Sequence, residues 1–108
     1  MKAHFKRPFG QYVKKARKPL QLAIEDAVEE VRANPDLGEA KRGDLAGLWV
    51  YKFKFQRQEY LMAYRPPCDE QRRQSAEVEL LVIDFYQVGP HENFYDELKR
   101  YLRAEGTP

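Results

Sequence analysis

The chain has 108 residues, 43% hydrophobic and 33% charged, with a net charge of +2. That fits one ordered globular domain with a modest core and excludes a disordered chain. It holds no run of about 18 apolar residues to span a membrane, and its basic N-terminus lacks the apolar stretch of a secretory signal. The one cysteine, Cys68, excludes an internal disulfide. It reads as an incidental thiol in the loop-like stretch RPPCDEQ and points to a reducing, cytoplasmic compartment.

The small net charge hides a segregated pattern. Residues 1–20 carry seven bases and no acid, and residues 21–47 carry seven acids and three bases. Residues 48–73 carry six bases and three acids, and residues 74–108 return to seven acids and three bases. Two basic zones split by an acidic one predict a sided molecule whose basic side meets a polyanion or is simply solvated.

In chain order, Phe9, Tyr12, Val13 and Ala16 recur at helical spacing after Pro8 and predict a helix over 9–17. After Pro19 a second helix is expected over about 20–33. Leu20, Ile24, Ala27, Val28 and Val31 form its apolar stripe, and Asn34-Pro35 ends it. Residues 36–47 read as a loop punctuated by Gly38, Gly43 and Gly47. LWVYKFKF (48–55) alternates strictly, with Trp49, Tyr51, Phe53 and Phe55 on one face and Leu48, Val50, Lys52 and Lys54 on the other. RQEYLMAYR (57–65) alternates more loosely and places Arg57 and Glu59 on the lysine face. Residues 66–76, with the only serine, Ser75, read as a polar loop. VELLVIDFYQV (78–88) is apolar on both faces, as in an inner strand. A last helix over about 91–103 has acids early and bases late, matching the helix dipole. The expected fold class is α+β: an N-terminal helical hairpin packed on a small antiparallel sheet, with a C-terminal helix.

Lys52 and Lys54 then project about 7 Å apart from one strand face, a phosphate-holding arrangement or a solvated edge. His91 follows the Gly89-Pro90 break, and Tyr95 stands four residues on, one helical turn away. A histidine titrates near neutrality and can move a proton at pH 7; by spacing alone His91 reads rather as a helix-capping turn residue and Tyr95 as a core residue. Asp84, amid apolar residues, is either a structural anchor or an orienter of His91. Two histidines and one cysteine do not make a zinc site of the usual spacing, and neither a phosphate-cradling glycine loop nor a nucleophile motif is present.

Three pieces in this order and spacing, NPDLGEAKRGDLAGLWVYKFKF, RQEYLMAY and VIDFYQVGPHENFYDELKRYL, resemble the RelE/ParE superfamily of bacterial type II toxins over about Val13 to Leu102. The resemblance implies a RelE-like fold and a cognate antitoxin, with one of two activities. The RelE-like branch cuts mRNA on the ribosome without metal or cofactor; the ParE-like branch inhibits DNA gyrase and lacks the nuclease residues. Carried over residue by residue, Lys52 and Lys54 match paired lysines that contact the substrate phosphate. His91 matches a general-acid histidine, and Tyr95 an aromatic that orients the nucleotide. The mechanism so implied gives a 2′,3′-cyclic phosphate, with Glu59 or Lys54 as base and Arg57 beside the lysines as cation. The basic first arm, Lys14, Lys15 and Lys18, would grip ribosomal RNA. The chain departs from the nuclease branch at Leu61, where that branch carries a catalytic arginine; Arg57, Arg65 or Lys54 would have to replace its charge. It departs again at MKAHFKR, a poor match to the strand with which the family opens.

Overall fold

The computed structural model describes residues 1–74 and 77–106; the expected loop position of Ser75 lies outside them. The weak opening segment is a strand, β1 (Lys2–Phe5), and its neighbour is the last strand rather than the next. It runs parallel to β5 (Val82–Pro90), with Ala3 opposite Ile83 and Phe5 opposite Phe85. Its four residues are mostly exposed and carry no clear alternation. Pairing with an inner strand holds them extended, which is tertiary context overriding local preference.

The helical hairpin follows. Helix α1 spans Arg7–Lys15 and α2 spans Lys18–Ala33. Pro8 and Pro19 each occupy a first helical turn, where a missing N–H costs nothing. Pro19 therefore starts α2 rather than separating two helices. Phe9 from α1 and Ile24, Ala27, Val28 and Val31 from α2 are buried against the sheet.

A five-stranded mixed sheet has the order β1-β5-β4-β3-β2, with β2 (Glu39–Ala40) a two-residue edge within the expected loop. Strands β3 (Trp49–Phe55) and β4 (Gln58–Arg65) form a hairpin whose two turn residues, Gln56 and Arg57, take φ of 50° and 68°. That is the conformation a two-residue turn needs to follow strand twist. Arg57 thus sits in the turn and not on the strand, which removes the parity argument that placed it on the lysine face. The stretch 66–76 is not all loop: Asp69–Gln74 forms a short helix, α3. The final strand starts at Val82, since 78–80 is a 3₁₀ turn.

The sheet is covered on both faces. One carries the hairpin and the aromatic side of β3, with Trp49, Tyr51 and Phe53 against Met62, Tyr64, Phe85 and Val88. The other carries helix α4 (Phe94–Ala104), whose Phe94, Leu98 and Leu102 pack on Val50, Leu61, Ala63 and Tyr86. Gly38 locks the loop before β3 onto the sheet: its N–H donates to the Tyr64 hydroxyl (3.0 Å), which donates to the Pro35 carbonyl (2.7 Å). A Cβ at Gly38 would come within 2.7 Å of the Val50 carbonyl oxygen.

Between β4 and β5 the register slips. Ala63 faces Gln87, but Tyr64 faces Phe85, so Tyr86 is an extra residue bulged out of the ladder. Tyr86 therefore joins the α4 face beside Gln87.

Candidate functional site

The α4 face at the β3–β4 hairpin end gathers the candidate residues. Lys52 and Lys54 are exposed, as their strand parity requires. Lys54 stands directly across from Glu59, and Lys52 across from Leu61. Leu61 is fully buried, so the position of the nuclease-branch arginine is filled by a floor residue. The next rung pairs Tyr60 with Pro90, which puts the end of β5 and His91 at the Lys54–Glu59 end of the sheet.

His91 lies in the turn before α4, which begins at Phe94 rather than at 91. It does not cap the helix with its side chain. Asn93, in the left-handed conformation at φ 61°, occupies the N-cap, and the His91 carbonyl accepts the Phe94 N–H at 3.2 Å. The imidazole is exposed, without a hydrogen bond or ion pair among the described residues. Its ring meets Tyr95 edge to face at 6.1 Å. Gln87, buried, donates its amide to the Phe94 carbonyl at 2.9 Å and so ties the first turn of α4 to the inner strand.

Lys41 belongs to this cluster, and sequence reasoning missed it. Its ammonium lies 5.4 Å from the centre of the Tyr95 ring and 3.2 Å from the Glu39 carboxylate. Burial favours the neutral amine, but the Glu39 carboxylate and the Tyr95 hydroxyl outweigh it and hold the Lys41 pKa above the usual lysine value. Its signal was its place in the loop stretch EAKRGDLAG, but a loop lysine has no period from which its direction can be read. Lys41, Lys52 and Lys54 against Glu39 and Glu59 leave one net positive charge, an excess suited to a phosphate.

Other candidates lie apart. Arg57 is exposed at the hairpin tip. Arg65 is six residues from Glu59 along β4, on the order of 20 Å, and cannot replace the missing arginine at the His91 end. Lys14, Lys15 and Lys18 are exposed on the hairpin that covers the opposite sheet face. Asp84 is remote from His91 along β5 and pairs instead with His4 of β1 at 3.1 Å. It is an anchor for the edge strand and not an orienter of the histidine. Among the described residues no cluster of three His, Cys, Asp or Glu could hold a metal ion.

A small mixed sheet is thus clasped between a helical hairpin and a terminal helix, with basic residues beside that helix. The chain matches the crystal structure of the isolated E. coli RelE toxin with a TM-score of 0.57 and 20% identity, over 94% of this chain and 98% of that one. The model of the family described as ParE-like toxin of type II bacterial toxin-antitoxin system matches residues 4–99, and the chain belongs to that family. No curated protein matches it. Membership makes it a toxin of a type II system and implies an antitoxin partner.

Proposed function

We propose that this toxin is a metal-independent, ribosome-dependent mRNA endoribonuclease. The observation that carries the reading is the unpartnered, exposed His91 ring against Tyr95, at the sheet end that presents Lys52, Lys54 and Glu59. In the reaction the RNA 2′-oxygen attacks its own phosphorus, and the bond from phosphorus to the 5′-oxygen breaks. The 2′-proton passes to Glu59 or Lys54, and the leaving oxygen takes a proton from His91. Lys52 and Lys54 neutralise the pentacovalent phosphorane, with Lys41 behind them and Arg57 at the tip. Tyr95 orients the nucleotide, and the products are a 2′,3′-cyclic phosphate and a 5′-hydroxyl. The ribosome presents the strand, and Lys14, Lys15 and Lys18 hold ribosomal RNA. The antitoxin is acidic and covers the basic face.

Purified toxin incubated with programmed ribosomes and with naked RNA tests this. Cuts on the ribosome that disappear in His91→Gln are expected; absence of any cut by the wild type sinks it. A second reading, inhibition of DNA gyrase through the helical hairpin, is favoured by Leu61, which leaves the nuclease-branch arginine without a counterpart. Full growth arrest by His91→Gln with inhibited gyrase supercoiling would move the protein there.

A further inference from the structure

The opposite end of the α4 face holds a second basic site. A cleft of about 420 Å³ opens between the 43–48 turn and α4, lined by Gly43, Asp44, Leu48, Arg65, Lys99 and Arg103. The bulge at Tyr86 places its phenol ring on the α4 face, behind the lining residue Arg65. The Arg65 guanidinium rests over that ring at 5.4 Å, and Lys6 lies over the same ring at 5.4 Å.

The Arg65 Nε is buried with no hydrogen-bond partner, and Arg65, Lys99 and Arg103 make no ion pair within 4 Å among the described residues. Asp44 lines the cleft, and two other nearby acids are engaged elsewhere. Glu105 pairs with Lys6 at 3.5 Å and accepts from the Tyr101 hydroxyl at 2.7 Å, and Asp84 pairs with His4. An arginine half-buried without an acceptor is a desolvated donor, and leaving one unmade is costly.

We infer that this cleft is a phosphate-binding site, distinct from the Lys52–Lys54–His91 cluster. Three cations against Asp44 leave a formal excess that a phosphate balances better than a single carboxylate does. The planar guanidinium fork matches two phosphate oxygens. Leu48 and Leu102 form apolar walls that strengthen the contact by excluding water. The phosphate belongs either to a polynucleotide backbone or to a small phosphate ester. The assignment does not depend on RNA cleavage.

The test is a backbone-amide NMR titration of the wild-type toxin with inorganic phosphate at low salt. Saturable shifts confined to the 43–48 turn, Arg65 and the Lys99–Arg103 turn of α4 are expected. Lys99→Gln with Arg103→Gln should weaken binding at least tenfold. Shift mapping on the wild type locates the site even if that variant fails to fold. A short oligoribonucleotide that binds through these residues at least tenfold tighter than a mononucleotide assigns the backbone; equal affinities assign a small ester. Three results would overturn the site: shifts at Lys52 and Lys54 instead, an equal response to acetate, or tighter binding of polyglutamate than of either phosphate ligand.

Discussion

Strand β3 serves two regions of opposite character. Toward the helical hairpin it presents the half-buried rings of Trp49, Tyr51 and Phe53 to an apolar cluster; toward α4 it buries Val50 and then leaves Lys52 and Lys54 in solvent. The hairpin covers its face but leaves a cleft of about 930 Å³ between β1, α1 and α2. Helix α4 covers only the middle of the other, and the uncovered ends become basic sites. Both sides bury an apolar cluster, but Lys52, Lys54 and His91 stand exposed on the α4 side, so substitutions at these three should change activity without unfolding the chain.

The largest effect is expected on the α4 face, in activity alone. His91→Gln should lower ribosome-dependent cleavage roughly 10²–10⁴-fold, or about 3–5 kcal/mol of barrier. Its exposed ring makes no hydrogen bond, so urea denaturation should show a loss of no more than about 1 kcal/mol. A comparable loss of stability would join what the comparison separates. On the hairpin face Phe85→Ala, at a fully buried ring, should cost about 3–5 kcal/mol of stability, read from the same unfolding curves. A loss below about 1 kcal/mol there would place the main core elsewhere.

Gly38→Ala should fall between. Its Cβ would meet backbone and the Tyr64 hydroxyl at 2.7–2.8 Å, so the loop must shift and a loss of about 1–3 kcal/mol is expected. Lys52→Ala with Lys54→Ala should stop growth arrest while stability changes by about 0.5 kcal/mol at most. A double variant that unfolds would contradict their exposure. The toxin–antitoxin affinity should fall as salt rises, because the covered surface is basic; calorimetry at several salt concentrations checks this.

The smallest effect is at the rim of the hairpin face. The Glu30 carboxylate, by accepting the Tyr51 hydroxyl, together with burial pushes the Tyr51 pKa up to about 12. The folded value lies above the unfolded one, so this contribution is complete below about pH 10 and is lost as pH rises through about 12. Spectrophotometric titration should show one late phenol fewer in Tyr51→Phe. Burial first, and then Glu105, also push Tyr101 up to about 12, and burial raises Tyr12, Tyr64 and Tyr86, so other late titrations should remain.

Much of this division was written in local pattern. The strict alternation of 48–55 put Lys52 and Lys54 on the face opposite the aromatics, because a strand repeats every two residues whatever it pairs with. The stripe of α2 likewise named Ile24, Ala27, Val28 and Val31 as buried, since the helical period is a property of the backbone. Long-range pairing decided the rest. The four residues of β1 are a strand only because β5 offers its edge, and a one-residue slip opposite Ala63 brought Tyr86 to the α4 face. That slip gave Arg65 its platform, far from the cluster it was expected to complete. Lys41 reached Tyr95 because Gly38 and Tyr64 fasten a loop that has no period of its own. Periodicity tells each residue which way to face; which faces meet, and at which end of the sheet, depends on hydrogen bonds between segments distant in the chain.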